Sequence, residues 1–139
     1  MRQKASDQST PAITAEWREI ASKRLAALHS LEAGWDGVGS VPISETAIAK
    51  ADRLLDLAFN DVPFPAPPSA VPCADGSLQL EWWLSDLRVE LAIEDAGEVE
   101  LWVQNRSTGR EYTALGAEAL TLLLRWSKQL TADKLAVLA

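Results

Sequence analysis

The sequence predicts an α+β domain: an N-terminal α-hairpin, an antiparallel β-meander of three or four strands, and a C-terminal helix packed on one sheet face. Three observations carry this expectation. Apolar residues recur at helical spacing from Trp17 to Ala58. They then alternate strictly from Leu78 to Val103. Helical spacing returns from Ala119 to Leu130.

In chain order, residues 1–12 read as a flexible polar arm, and residues 13–139 as one domain. Thr14 stands at an N-cap position with Glu16 in the first turn. Trp17, Ile20, Ala21, Leu25, Leu28 and Leu31 form the apolar stripe of the first helix, and Gly34 suits the C′ position that ends it. Gly34, Gly37 and Gly39 then make a loop. A second helix starts at Ser44, with Ile43 and Ile48 as a hydrophobic staple and Ala51, Leu55 and Ala58 on its apolar face. These helices form the α-hairpin of residues 13–59. Residues 60–76 hold five of the seven prolines and read as a stiff strap to the sheet, with a ligand for proline-recognition modules as the other reading.

Residues 77–113 are the meander. Leu78, Leu80, Trp82 and Leu84 alternate with polar residues or Trp83, as do Leu87, Val89, Leu91 and Ile93, then Val99, Leu101 and Val103. Ser85-Asp86 and Asp95-Ala96-Gly97 are the turns, and Glu111-Tyr112-Thr113 adds a short fourth strand after the Ser107-Thr108-Gly109 turn. Residues 117–130 form a helix whose Ala119, Leu122, Leu123, Trp126 and Leu130 cover the apolar side.

Keeping every aliphatic residue on one face dictates the register. Leu84 faces Leu87, Trp82 faces Val89 and Leu80 faces Leu91, while Ile93 faces Val99 and Leu91 faces Leu101. The reverse face then pairs Trp83 with Arg88, Glu81 with Glu90, Glu90 with Trp102, Ala92 with Glu100, and Glu94 with Glu98. It therefore carries Glu81, Glu90, Glu94, Glu98 and Glu100, with Trp83, Trp102 and a single cation, Arg88. Like charges directly opposite one another are destabilising, and tryptophan is a favoured interface anchor. The combination points to a patch that meets a cationic protein surface. The simpler alternative is a solvated face whose acids keep sheets apart, with Trp83 stacked on Arg88. As a variant, carboxylates at i and i+2, roughly 6.8 Å apart, imitate a phosphate backbone.

Composition narrows the function classes. Thirteen Lys+Arg against 20 Asp+Glu give a net charge of −7, which argues against direct nucleic-acid binding. With 47% hydrophobic and 24% charged residues the chain reads as globular. No stretch reads as a signal peptide or membrane span, so a cytoplasmic protein is expected. One cysteine, Cys73, excludes an internal disulfide framework. His29 is the single histidine, on the first helix beside Leu28, with no second histidine, no reactive cysteine context and no serine motif nearby. The glycine loop matches neither a P-loop nor G-x-G-x-x-G. No enzyme, cofactor or metal site is expected.

Gly34-Trp35-Asp36-Gly37 between two helices, the proline-rich strap, and Asp75-Gly76 leading into Leu80-Glu81-Trp82 resemble a set of small bacterial and phage-associated proteins. Their recurrent pattern is a G-W-D-G loop, a P-x-P strap and a D-G-x-L-x-L-E-W strand, matched here over residues 31–93. This chain departs from it at Val38, where many members carry an aromatic residue. The resemblance implies a helical hairpin plus antiparallel sheet, and a setting among mobile elements, where small acidic proteins neutralise larger partners. Trp35 reads as a plug between helix and sheet, and Asp36 as an acceptor for backbone N–H groups in the glycine turn, with a ligand-contact role for the pair as the other reading.

The function expected is therefore a non-enzymatic inhibitor or neutraliser of a basic macromolecular partner, antitoxin-like or anti-CRISPR-like. The alternative is an assembly module that homo-oligomerises, as a dimer for instance, through its sheet.

Overall fold

Alternating burial along a strand gives a sheet one apolar face, and that face must be covered. Here helices cover it. A computed structural model describes the backbone of residues 4–59, 67–83 and 86–131, and the side chains of residues 16–57, 67–83 and 86–125. The elements in order are α1 (Lys4–Ala27), a 3-10 turn (Leu28–Ser30), α2 (Glu45–Phe59), β1 (Ser69–Pro72), β2 (Leu78–Trp83), β3 (Leu87–Ile93), β4 (Val99–Asn105), β5 (Glu111–Leu115) and α3 (Gly116–Thr131). The sheet has the order β1-β2-β3-β4-β5, antiparallel throughout.

The pairings expected from the alternation are present: Leu80 with Leu91, Trp82 with Val89, Leu91 with Leu101, and Ile93 with Val99. Leu84 lies outside the described residues. Leu78, Leu80, Trp82, Leu87, Val89, Leu91, Ile93, Val99, Leu101 and Val103 are all buried. Each fully buried aliphatic side chain contributes about 1.5–3 kcal/mol.

Against this face α1 lies over β1, α2 over β2 and β3, and α3 over β4 and β5. α1 contributes Trp17, Ala21 and Leu25, followed by Leu28 of the 3-10 turn. α2 contributes Ala47, Ile48, Ala51, Leu54 and Leu55, and α3 contributes Ala119 and Leu123. Leu122 packs on this core half-buried. Ala58, Trp126 and Leu130 lie outside the described side chains.

Polar contacts fix the layers. Arg18 on α1 reaches Asp52 and Asp56 on α2, and Arg24 donates to the carbonyl of Pro68 at 2.8 Å. Ser44 caps α2: its Oγ accepts from the Ala47 N–H at 3.2 Å and donates to the Asp95 carbonyl at 2.6 Å. Ile43 and Ile48, both buried, form the staple. At the β1–β2 turn Gly76 has φ +93, and a Cβ there would meet Val41 Cγ2 at 3.2 Å and the Pro42 carbonyl at 3.3 Å. The Ser77 hydroxyl and N–H donate to Asp75 and hold its carboxyl below the ordinary range.

Several expectations are corrected. The helix begins at Lys4, not at a Thr14 cap, so the predicted arm is helical from its fourth residue. Extending an existing helix adds a hydrogen bond for each residue ordered. Ile20 is exposed because it lies about 90° from the centre of the stripe. α1 ends through a 3-10 turn, so Gly34 belongs to the loop, where its N–H donates to the Ser40 carbonyl. Residues 69–72 of the strap form β1, which makes five strands rather than three or four. Proline masks a strand in sequence but is tolerated on a sheet edge. Residues 60–66 of the strap lie outside the described residues. β5 extends to Leu115 and passes directly into α3 at Gly116, whose φ of +57 makes the strand-to-helix bend.

Leu101→Ala, fully buried on β4, is expected to cost about 3 kcal/mol in urea denaturation. Leu57→Ala, on the exposed side of α2, is expected to stay within about 0.5 kcal/mol.

Candidate protein-binding face

All three helices pack on one side, so the reverse face carries no covering element among the described residues. Its rows follow from the register. One row runs Trp83, Arg88, Gln104, Glu111. The next runs Ser69, Glu81, Glu90, Trp102, Thr113, and the third runs Val71, Gln79, Ala92, Glu100, Leu115. Glu94 and Glu98 stand beyond at the β3–β4 turn, where the Glu94 N–H donates to the Glu98 carbonyl at 2.8 Å. The expected face therefore exists as one surface holding Glu81, Trp83, Arg88, Glu90, Glu94, Glu98, Glu100 and Trp102.

Its centre is organised around Arg88. The guanidinium lies 4.1 Å from the Trp83 ring centroid and 5.7 Å from that of Trp102. It also donates to Glu90 Oε2 at 2.8 Å. Stacked and ion-paired in this way, the cation is spent within the face. The stacking is the one foreseen for a simple solvated surface, but it leaves Trp83 53% exposed. Two contacts escaped the sequence reading. Arg106 approaches the Trp83 ring at 5.5 Å, and Glu111 accepts from Trp102 Nε1 at 3.0 Å. The register of β5 is the signal that would have placed Glu111 beside Gln104.

At the other end, among the described residues, no ion pair or ring contact engages Glu94 or Glu98, although Lys50 lines a hollow together with them. Glu98 beside Glu94 raises the exposed Glu94 carboxyl above its ordinary range by charge repulsion, with smaller contributions from slight desolvation, a hydrogen bond to Glu98, and the charges of Asp95 and Glu100. Between the two ends, the small side chain of Ala92 leaves a depression of about 330 Å³ lined by Gln79, Glu90, Glu100 and Trp102. Two carboxylates and an indole thus surround an opening of side-chain size. Of that set the sequence singled out Glu90, Glu100 and Trp102 but neither Gln79 nor Ala92, and the smallness of Ala92 creates the space.

The loop candidates make local contacts within the fold. Trp35 is half-buried against the core and donates from Nε1 to the Val41 carbonyl at 2.8 Å, as a plug would. Asp36 departs from expectation: its backbone N–H donates to Ser40 Oγ at 3.0 Å, and its carboxylate closes no turn. Buried Ser40 takes that role, donating to the Gly37 carbonyl at 2.8 Å. A serine four residues along can reach back into a glycine turn where the exposed Asp36 carboxylate faces outward. His29 contacts Glu45 at 3.0 Å and joins the 3-10 turn to α2. Among the described residues no group of three or more His, Cys, Asp or Glu is placed to hold a metal ion, and no helix is long and apolar enough to cross a membrane. No family model, curated protein or solved structure matches the chain.

The sign of the Glu94 shift sets a pH test. Its folded pKa lies above the unfolded value, so the associated stability is greatest below the unfolded pKa and falls as pH rises through the folded one. Glu98→Gln should therefore raise Tm at about pH 7 and lose that advantage at about pH 3.5. Equal melting curves at neutral pH would remove the repulsion from the account.

Proposed function

We propose that the chain is a non-enzymatic binding protein whose open sheet face docks a cationic protein surface, with an arginine side chain of the partner seated in the depression at Ala92. The observation that carries this reading is the depression itself, with Glu90 and Glu100 on its rim and Trp102 as a wall. A guanidinium suits that lining. It pairs with carboxylates through planar forked donors and stacks on indole faces. The face already contains the same arrangement internally, where Arg88 lies over Trp83 and Trp102 and pairs with Glu90.

The surrounding charge supports the same partner. Glu81, Glu94, Glu98 and Glu100 extend the negative field, and Arg88 is neutralised where it stands. Such a field steers encounter with a basic surface and disfavours anionic ones, in a salt-dependent way. Exposed Trp83 supplies an apolar anchor at the rim. A role in blocking the partner, as an antitoxin or an inhibitor of host defence would, is consistent with a small acidic chain that covers a basic functional surface.

An arginine-rich peptide titrated into 15N-labelled protein is expected to shift the Ala92, Glu90 and Glu100 amides and the Trp102 indole N–H, less so at high salt. Ala92→Leu fills the depression without changing charge and should abolish those shifts while leaving Tm within about 2 °C. Unchanged shifts in Ala92→Leu, or shifts confined to other surfaces, would overturn the reading.

A further inference from the structure

The two edges of the sheet are built differently, and the difference can be read from the hydrogen-bond alternation. In an antiparallel ladder, residues alternate between bonding the neighbouring strand and pointing their N–H and C=O away. At the β1 edge the Cys73 N–H donates to the Ser77 carbonyl at 2.9 Å, so Cys73 bonds inward. Val71 and Ser69 then do the same, and the outward positions are Pro72, Ala70 and Pro68. Two of these three have no N–H to offer. Arg24 of α1 also donates to the Pro68 carbonyl. This edge is closed to further strands.

At the β5 edge the Asn105 N–H donates to the Arg110 carbonyl at 2.8 Å, so Arg110, Tyr112 and Ala114 bond inward to β4. The outward positions are Glu111, Thr113 and Leu115. All three carry an N–H, and β5 has no proline, lysine or bulge to deter pairing. α3 packs over β4 and β5 on the helix-covered side and towards α2, and among the described residues no strand pairs with the β5 edge.

We infer that β5 pairs with β5 of a second copy of this chain, antiparallel about Thr113. This register matches outward positions with outward positions: Thr113 with Thr113, and Glu111 with Leu115. It also places each copy's Tyr112 opposite the other's Ala114. There an open groove of about 490 Å³ lies between β5 and α3, lined by Ala114, Ala117, Glu118, Thr121, Leu122 and Arg125. Tyr112 is exposed in the single chain and shares the helix-covered side with Ala114, since Val103 opposite it is buried. The pairing therefore brings an exposed aromatic ring to an apolar-floored groove, twice, by one symmetry operation. Arg110 falls opposite Gly116, which sets its guanidinium towards Glu118 in the first turn of the other copy's α3. Opposite charges thus meet at both ends of the paired strands. The two-fold axis runs perpendicular to the sheet, so the ten strands form one sheet with both open faces on the same side. This inference does not depend on what those faces bind.

Sedimentation equilibrium on the full chain tests it. A mass of twice 15.1 kDa is expected at micromolar concentration. Thr113→Pro removes an N–H that β4 does not use, and should yield monomer with retained near-UV circular dichroism. Glu118→Arg should raise the dimer dissociation constant by about tenfold, and adding Arg110→Glu to it should restore dimerisation. Because the charge swap leaves the backbone untouched, it decides the matter even if Thr113→Pro fails to fold. A monomer at all concentrations, or a dimer indifferent to Glu118→Arg, would overturn the proposal.

Discussion

One-sided burial of the sheet is the constraint on which the rest of this structure depends. The side-chain period of a strand is two, so placing every aliphatic residue of β2, β3 and β4 inward leaves every intervening residue outward. The inward set requires three helices to keep it from water. The outward set receives whatever chemistry remains, and here, with Glu111 of β5 counted, it includes six glutamates, two tryptophans and one arginine, beside Gln79, Ala92 and Gln104. The helical layer and the charged face are therefore two results of a single pattern. Shifting β3 by one residue would put Leu87, Val89, Leu91 and Ile93 in water and Arg88 and Glu90 beneath the helices.

Within the charged face, cross-strand repulsion is handled unevenly. Glu81 and Glu90 stand opposite one another, but Glu90 is bonded to Arg88, which in turn rests on Trp83. Among the described residues Glu94 and Glu98 have no such ion pair, and the Glu94 carboxyl is displaced upward accordingly. The like-charge cost is thus moved to the exposed turn, where water screens it best. The Ser44 hydroxyl anchors that turn through the Asp95 carbonyl, so the repelling pair sits on a braced loop.

The sequence made much of this legible, for identifiable reasons. Registers across β2, β3 and β4 could be written residue by residue because aliphatic alternation and short turns leave one arrangement that buries Leu80, Leu91 and Leu101 together. The same logic assembled the candidate face. What escaped lacked a periodic signal. β1 is a short edge strand disguised by Pro68 and Pro72. The helical run from Lys4 has a polar start with no stripe to mark it. Arg106 reaches Trp83 from a turn, where no period places a side chain. Ala92 was visible as a position but not as an absence of bulk, which only three-dimensional neighbours reveal.

The strand order β1-β2-β3-β4-β5 bears on how the chain folds. Every sheet neighbour is also a sequence neighbour, so each pairing closes only a short loop, and the hairpins at Gly76, Gly97 and Gly109 can zip without waiting for distant segments. α3 follows β5 with no intervening loop and can dock as the last hairpin forms. The slow, high-separation event left is the arrival of the α1–α2 pair on β1, β2 and β3. Until it arrives, the apolar side of the sheet under α1 and α2 is bare, so the period of greatest exposure to aggregation falls between completion of the sheet and docking of the N-terminal hairpin.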